Sequence, residues 1–379
     1  MLKVSVERIA TGFEESWNHC YVHARAGIAP DGRMLMTTQK LLLSGSDVFS
    51  GLEMSQRPSP TGAWSPITVC PELSRRPAPN GMEMVFCDAT PTFHKATGRF
   101  LLTGHAAIYD HNAVFRGLKH RAPLWSVFDE TAGKWMPYRE LAMPEGFDDC
   151  GSGCAQILEL PDGTLLIPGS TKAIDGKPAT QSSYSGCFVM HCSFDGNELK
   201  LLDLGNIQSI ETGRGLGEPS IACSAGRYFL CLRNDDTSFI ATSLDGLHFS
   251  KPQEWLFDDG TPLGSYNTQQ HWLVGKEKLY LVYTRRAEFN NHIFRHRAPL
   301  FIAEIDTENL RVIRETEQVT VPMRGARLGN FGCFQNSPDD GYIMAAEWMQ
   351  TTPPNPHDYR RCIRYGSDNS IFIAHVEGL

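Results

Sequence analysis

The sequence predicts an all-β chain folded as a six-bladed β-propeller of four-stranded blades. Two short patterns that each recur six times indicate this fold. The segments between them contain no long stretch with helical periodicity. Short alternating strands separated by glycine turns at such spacings are typical of propellers, which leave only short, protected sheet edges.

The first pattern is a turn centred on glycine, followed by a short apolar strand. Its glycines are Gly32, Gly98, Gly163, Gly226, Gly275 and Gly341, which lie 66, 65, 63, 49 and 66 residues apart. The copies read PDGRMLMTTQ, ATGRFLLTGH, PDGTLLIPGS, SAGRYFLCLR, VGKEKLYLVYTRR and PDDGYIMAAEW. We interpret each copy as the turn into the second strand of a blade.

The second pattern follows each copy of the first and is an alternating strand that often runs into an Asp and a turn. The copies are VFSGLEMSQ, LWSVFDETAGKW, CFVMHCSFDG, SFIATSLDGLHF, LFIAEIDTENL and IFIAHVEGL. Together the patterns predict a single domain, 1–379, with blades over approximately 19–70, 84–145, 150–205, 214–256, 266–322 and 327–379. The sixth blade lacks a fourth strand, so we expect the alternating segment 3–10 to complete it and close the ring.

Composition excludes several classes of function. The net charge is −8 and no long basic run is present, so nucleic acid is not an expected partner. No segment approaches the ~18 apolar residues of a membrane span, and the first residues do not resemble a signal peptide, so we expect no membrane association and a cytoplasmic location. The oligomeric state cannot be predicted from these features.

Neither a metal nor a cofactor is expected. The eleven cysteines are scattered, as in a protein with reduced, mostly buried thiols. The pairs Cys150 with Cys154 and Cys187 with Cys192 miss the usual spacing of zinc ligands.

Candidate site residues follow from the predicted topology. The first strands of propeller blades line the central channel, and loops at one face of the ring converge. We expect acids, histidines and arginines to meet there: His23, Arg25, Asp47, His105, Glu218, Arg233, Asp235, His271, Arg285 and Arg297. Because the whole chain is acidic, a local group of arginines indicates an anionic ligand, and guanidinium forks match carboxylates.

Blade 4 resembles the sialidase superfamily, the six-bladed propellers with Asp-box turns. The stretch GEPSIACSAGRYFLCLRNDDTSFIATSLDGLHF is similar to the family's glutamate, apolar hairpin, Arg-Asn and Asp-box run. The resemblance implies that Glu218 is the family's glutamate beside the nucleophile. It also implies that Arg233 and Arg297, with Arg295 as the alternative, hold the substrate carboxylate, and that Asp47 is the acid/base aspartate.

Two positions depart from the family pattern. The family's Arg-Ile-Pro motif in blade 1 is replaced by YVHARAGIAP, in which His23 and Arg25 are the nearest counterparts, and strand alternation predicts that these two point together. Asn330 and Phe331 stand where the family has its nucleophilic tyrosine. Tyr266, Tyr359 and Tyr365 are the tyrosines that a loop could bring instead.

These features favour a sialidase-like glycoside hydrolase that removes a terminal, acidic sugar, with Glu218, Asp47 and His23 as catalytic residues. Two alternatives remain open at this point. One is a lyase acting on a uronic-acid glycan, or a propeller glycosidase that depends on histidine. The other is a propeller that binds glycans without catalysis.

Overall fold

Strands account for nearly all the regular structure of the protein. The computed structural model describes residues 2–12, 18–45, 47–111, 113–114, 121–147, 149–172, 184–352 and 355–379. Within these ranges the strands form six sheets. Each sheet contacts the next through its inner strand, and the sixth contacts the first. The prediction of a six-bladed β-propeller is therefore confirmed.

The first three blades run outward from the channel in chain order. Blade 1 consists of His19–Ile28, Met34–Leu42, Phe49–Arg57 and Thr68–Val69. Blade 2 is built on Glu83–His94, Arg99–Asp110 and Pro123–Asp129, with short strands at Arg76–Pro77, Ala113–Val114, Lys134–Trp135 and Arg139–Glu140. Blade 3 contains Cys150–Gly151, Leu158–Glu159, Leu165–Thr171, Gly186–Phe194, Leu199–Leu204 and Gln208–Ser209.

The second half of the ring repeats this order. Blade 4 consists of Gly217–Ser224, Arg227–Arg233, Ser238–Ser243 and Gln253–Glu254. Blade 5 contains His271–Val274, Leu279–Tyr283, Leu300–Asp306 and Gln318–Val321, together with Leu256–Phe257 and Arg311–Val312 at its outer edge. Blade 6 contains Gly332–Phe334, Asp340–Ala346, Ser370–Glu377 and, from the start of the chain, Lys3–Thr11.

The ring is closed by the pairing of the first strand with the last. Lys3–Thr11 runs antiparallel to Ser370–Glu377, with Lys3 opposite Glu377 and Thr11 opposite Ser370. Val4 packs on the hydrophobic cluster between blades 5 and 6, whereas Val6 is exposed. The strand thus covers the edge of blade 6, as the unpartnered alternating segment predicted.

Apolar clusters fill the spaces between neighbouring blades. Phe86, Leu102 and Trp135 belong to the cluster between blades 1 and 2, and Trp255 and Trp272 to that between blades 4 and 5. All five are at most 1% exposed. Face-to-face packing of this kind fixes each blade against its neighbours and makes the channel wall rigid.

The turn after the third strand of blade 4 is held by an aspartate. Asp245 Oδ1 accepts hydrogen bonds from the backbone N–H groups of Leu247 and His248, at 2.9 and 2.7 Å, and from the hydroxyl of Ser243. Phe249 is buried beside this turn. An Asp that caps its own turn in this way is a structural device of tight hairpins.

Helices are few and short in the described part of the chain. Five 3₁₀ turns occupy Pro71–Leu73, Pro79–Gly81, Glu288–Asn290, Phe294–His296 and Arg314–Thr316, and one α-helix occupies Arg360–Arg364. None of the helices described is long and apolar enough to cross a bilayer.

Because Val4 of the closing strand is half-buried against an apolar cluster and Val6 is exposed, the two valines form a matched pair. We expect Val4→Asp to lower the free energy of unfolding by about 1–3 kcal/mol, since it places a polar group against an apolar cluster. Val6→Asp should change it by less than about 0.5 kcal/mol. Urea unfolding of both variants checks this, and equal effects would show that the strand does not seal the sixth blade.

Candidate active site

A cavity of about 540 Å³ opens where the first strands of the blades begin. All six blades contribute to its wall. Its charged side chains include seven cations, Arg121, Lys172, Arg214, Arg233, Arg295, Arg297 and Arg327, and four acids, Asp47, Asp88, Glu218 and Asp235. A local excess of positive charge in a protein with a net charge of −8 favours an anionic ligand.

Three of the lining residues reach the cavity by the same backbone device. The first strands of blades 1, 2 and 4 each contain a register shift, and His23, Asp88 and Glu218 lie within these shifts. All three have left-handed backbone conformations, with φ of 54°, 53° and 46°. Such bulges redirect side chains and cost of order 1 kcal/mol or more for a residue other than glycine. The regular alternation of the strand is interrupted where the cavity needs a functional group.

The first hairpin of blade 4 brings an acid and an arginine together. Gly217 pairs with Arg233 across the hairpin, and Glu218 follows directly in the bulge. The Arg233 guanidinium donates to the Glu218 carboxylate, and both side chains line the cavity. The Glu218 backbone N–H donates to Ser170 Oγ at 3.1 Å, which fixes this corner against blade 3.

Asn267 gathers four arginines beside this pair, and we call Arg214, Arg233, Arg295 and Arg297 the arginine cluster. Asn267 Oδ1 accepts from Arg233, from Arg214 Nη2 at 3.2 Å and from Arg295 Nη1 at 3.4 Å. The backbone carbonyl of Asn267 accepts from Arg297 Nε at 3.1 Å. A neutral residue thus holds four cations without neutralising them.

The charges of the arginine cluster are only partly compensated. Asp235 holds Arg214 through contacts of 2.6 and 2.9 Å, and Arg214 holds the pKa of Asp235 below its ordinary value. Burial, then repulsion from Arg233 and Arg327, lowers the pKa of Arg297 well below its ordinary value. Burial, then repulsion from Arg233 and Arg214, also lowers that of Arg295. A bound anion would relieve this repulsion.

Asp88 is the centre of a second group on the floor of the cavity. Its Oδ1 lies 3.3 Å from His23 Nε2, 3.4 Å from Arg25 Nη2 and 3.0 Å from Cys154 Sγ, while its Oδ2 lies 3.8 Å from His105 Nε2. Burial by itself raises the pKa of Asp88, but His23, Arg25 and His105 outweigh burial and hold it below the ordinary value. Asp88 is therefore an ionised carboxylate at neutral pH.

The remaining predicted residues at the edge of the cavity take separate positions. Asp47 is exposed at the rim, with a left-handed backbone, and its carbonyl accepts from the Tyr109 hydroxyl at 2.7 Å. Its carboxylate raises the pKa of Arg327, although burial is the larger influence and lowers that pKa to about 9. His23 packs against Phe49 and Trp348, with ring centroids 4.7 and 5.4 Å away.

The structure places three of the predicted residues outside the cavity wall. Arg25 does not point with His23, because the bulge between them reverses the alternation, and it is fully buried against Asp88 and the Phe331 carbonyl. His271 is buried between Ser220 and Gln269. Arg285 binds Glu317 through two contacts of 2.8 and 2.6 Å in blade 5. We therefore assign these three residues to the structure of the ring.

An asparagine occupies the position that the resemblance reserves for a tyrosine. Asn330 lines the cavity and its Oδ1 accepts from Arg297 Nη1 at 3.1 Å. Phe331 is buried and packs edge-on against His271. No tyrosine lines the cavity in the described part of the chain, and Tyr266 instead bonds to His296 through its hydroxyl at 2.6 Å.

Sequence reasoning missed Arg214, Arg327 and Asn267 as functional candidates, although a signal for the two arginines exists. Glu218 ends the run RGLGE and Asn330 ends the run RLGN, so each is preceded by Leu-Gly and, shortly before, by an arginine. Aligning the starts of blades 4 and 6 would have revealed both arginines. For Asn267 the sequence carries no comparable signal.

Cys87, Asp88 and His105 are the described residues whose ligand atoms come close enough, within 4.8 Å, to share a metal ion. The arrangement does not favour a metal. The Arg25 guanidinium and the Cys154 thiol already occupy Asp88 Oδ1, and burial raises the pKa of the Cys87 thiol well above its ordinary value. A thiol must lose its proton to bind a metal, so this burial opposes binding.

Comparison with known proteins gives matches in structure alone. No protein-family model matches the chain, and no curated protein sequence matches it. A protein of unknown function from Dyadobacter fermentans superimposes with a TM-score of 0.66 and 12% identity over 99% of both chains. Trypanosoma rangeli sialidase, in complex with the inhibitor DANA, gives 0.60 and 14% over 98% of this chain and 59% of its own. The Hadza microbial sialidase Hz136 gives 0.63 and 10%, over 95% and 66%.

The fold is that of a sialidase-like propeller. This sialidase-like propeller spans about three fifths of the length of the trypanosome enzyme. At 10–14% identity the similarity establishes the architecture and leaves the activity to be argued from the cavity.

His271 makes a testable contribution to stability in acid. Burial, then Arg25, lowers its pKa from 6.5 to about 3, so between these values the unfolded chain binds a proton there that the folded chain does not. Folding stability must therefore fall as the pH drops through this window, by about 1.4 kcal/mol per pH unit for this one group. Urea unfolding between pH 6 and 4 should show a shallower pH slope for His271→Gln. His248→Gln, at an exposed histidine, is the control; an unchanged slope in His271→Gln would contradict the analysis.

Proposed function

We propose that this protein is a glycoside hydrolase that removes a terminal sugar bearing a carboxylate from an oligosaccharide or glycan. The observation that carries the proposal is the arginine cluster, four guanidinium groups held on one asparagine beside Glu218. The similarity of the fold to sialidases supports the same class of substrate.

Guanidinium groups suit a planar anion better than ammonium groups, which act as point charges, would. Guanidinium groups donate in pairs and match the two oxygens of a carboxylate. Arg297 is almost completely buried, and burial strengthens its interaction with an anion because water screens it less. Asn267 and Asn330 hold Arg297 in place, so little side-chain freedom is lost on binding.

The rest of the cavity suits a sugar. Its volume of about 540 Å³ lies in the range of small-molecule sites. Trp348 and Phe49 form an apolar wall opposite polar groups, a combination that matches the apolar faces and hydroxyl groups of a pyranose ring.

The two catalytic carboxyl groups are proposed to have different roles. Glu218 forms an ion pair with Arg233, and its carboxylate can stabilise positive charge that develops at the anomeric carbon. Asp47, exposed at the rim of the same cavity, is the candidate to protonate the leaving oxygen. Because no described lining residue is a tyrosine, we expect water to attack directly, with inversion at the anomeric carbon.

The alternative of a glycan-binding propeller is favoured by one observation, the asparagine at position 330. An amide cannot serve as a nucleophile but can hydrogen-bond a sugar, and Asn330 Oδ1 already accepts a hydrogen bond from Arg297. Such a protein would bind acidic sugars without releasing them.

The first experiment is a turnover screen with aryl glycosides and oligosaccharides that end in a sialic acid, a uronic acid or a neutral sugar. We expect release of a carboxylate-bearing sugar, and a loss of at least about 100-fold in kcat/KM for Glu218→Gln. Glu254→Gln, in an exposed strand of the same blade, is the matched control and should keep full activity.

The outcomes separate the candidate functions. Ultraviolet absorbance from an unsaturated product, without hydrolysis, would indicate that the protein is a lyase and not a hydrolase. Binding of acidic sugars measured by calorimetry, with no turnover of any substrate, would indicate a propeller that binds glycans without catalysis. Preference for neutral sugars would contradict the role of the arginine cluster.

Asn267→Gly tests the arginine cluster itself. Glycine tolerates the left-handed backbone at this position, where φ is 49°, and keeps the carbonyl that binds Arg297, so the change removes the side chain with its shared Oδ1 and leaves the backbone contact. We expect KM for the acidic substrate to rise about tenfold, because three arginines lose their common anchor. Steady-state kinetics at two salt concentrations measure this; an unchanged KM would show that the anchor is not needed.

A further inference from the structure

The Asp88 group on the floor of the cavity, which consists of His23, Asp88 and His105, has no part in the binding of a carboxylate by the arginine cluster. His23 comes from blade 1, and the other two residues come from neighbouring strands of blade 2, where His105 lies opposite Cys87. His23, Asp88 and His105 all line the cavity. An ionised carboxylate with an imidazole on each side is an arrangement that moves protons in many enzymes.

The two oxygens of Asp88 serve different partners. Oδ1 is shared by His23, Arg25 and Cys154, whereas Oδ2 faces His105 Nε2 at 3.8 Å. His23 is fixed at both nitrogens, by Asp88 and by Gln39 at 3.5 Å, and is 2% exposed. His105 is 18% exposed and is therefore the imidazole that a substrate or water can reach.

Two glycines of blade 3 pack against the His105 ring and hold it in place. A Cβ atom at Gly153 would lie 1.8 Å from His105 Nδ1, and one at Gly151 would lie 2.5 Å from the His105 Cβ. A larger residue at either position would displace the ring, so the close approach of these glycines fixes the imidazole in the cavity wall.

The surroundings of His105 keep it neutral at physiological pH. Burial is the largest influence and lowers its pKa to about 4; Asp88 raises it, Arg121 and His23 lower it, and Glu218 raises it slightly. A neutral imidazole has a free lone pair and can accept a proton, whereas the Glu218 side chain is engaged by Arg233.

We propose that His105, beside Asp88, is the general base of this site and takes a proton from the attacking water on its imidazole ring. This role rests on the hydrolysis proposed above. The oxygen of the water forms the bond to the anomeric carbon, and the glycosidic bond breaks with its electron pair on the leaving oxygen. Asp47 protonates that oxygen, and the proton on His105 returns to Asp47 through solvent, so the net reaction is consumption of one water.

His105→Gln is the principal test, with kinetics on the substrate identified by the turnover screen. We expect kcat to fall by about 10²–10⁴-fold while KM changes less than about threefold, because a general base acts in the transition state. In the wild type, kcat/KM should decline below pH about 5 as His105 is protonated. This decline should be absent from the residual activity of His105→Gln. His248→Gln at the surface is the matched control.

Two further variants distinguish a base from a structural histidine. Gly153→Ala keeps every titratable group but its Cβ displaces the His105 ring, and should lower kcat at least tenfold with the pH profile shifted or lost. His105→Gly should regain part of its activity when imidazole is added, because a free base can enter the vacated space. Nitrogen NMR of the wild-type histidines should show His105 neutral at neutral pH.

Each contrary result has a separate meaning. Wild-type kcat in His105→Gln, a change in KM alone, or a protonated His105 at neutral pH in the wild type would overturn the assignment of His105 and leave the hydrolase intact. Inactivation by a chelator with recovery on adding zinc would overturn it in favour of a metal at Cys87, Asp88 and His105. Binding of acidic sugars with no hydrolysis by the wild type would overturn both proposals.

Discussion

Closure of the ring is the constraint on which the rest of the structure depends. The antiparallel pairing of Lys3–Thr11 with Ser370–Glu377 joins the two ends of the described chain into one blade. Blade 6 is thereby fixed between blades 5 and 1. Residues of the candidate site make contacts across both of these blade interfaces. Arg297 of blade 5 binds Asn330 of blade 6, and Arg25 of blade 1 binds the carbonyl of Phe331. Loss of closure would separate the cavity along the lines where its charged groups meet.

A rigid ring also allows the strain that shapes the cavity. A left-handed residue other than glycine is unfavourable unless its surroundings determine it completely. His23, Asp88 and Glu218 each occupy such a conformation in a strand that is paired on both sides of the bulge. The regular ladder before and after the bulge supplies the stability, and the bulge supplies the direction of the side chain. The repeated use of this device explains how functional groups from three blades reach one cavity.

The sequence predicts the architecture well because repeats are a property of many residues at once. Six glycine turns and six alternating strands agree on the number of blades, and the lone segment at the start identifies the closing strand. Individual side-chain directions are less predictable. Strand alternation predicts that His23 and Arg25 lie on one face. A bulge that no residue type in the sequence predicts places them on different faces. Likewise, whether Arg285 meets a ligand or Glu317 depends on a partner 32 residues away, which only the folded blade brings near.

The cavity contains permanently charged arginines and a titratable histidine, His105, which is kept neutral. The arginine cluster of blades 4 and 5 carries charge that stays positive at neutral pH, so its attraction for an anion does not depend on the state of any neighbouring histidine. His105 lies in the same cavity, but burial and Arg121 keep it neutral. If His105 were protonated, it would add to the positive field and could no longer accept a proton. Under the proposed function, low exposure would keep the base neutral next to a strongly cationic wall, and Asp88 would offset part of that field, so that one cavity could hold an acidic sugar and still remove a proton beside it.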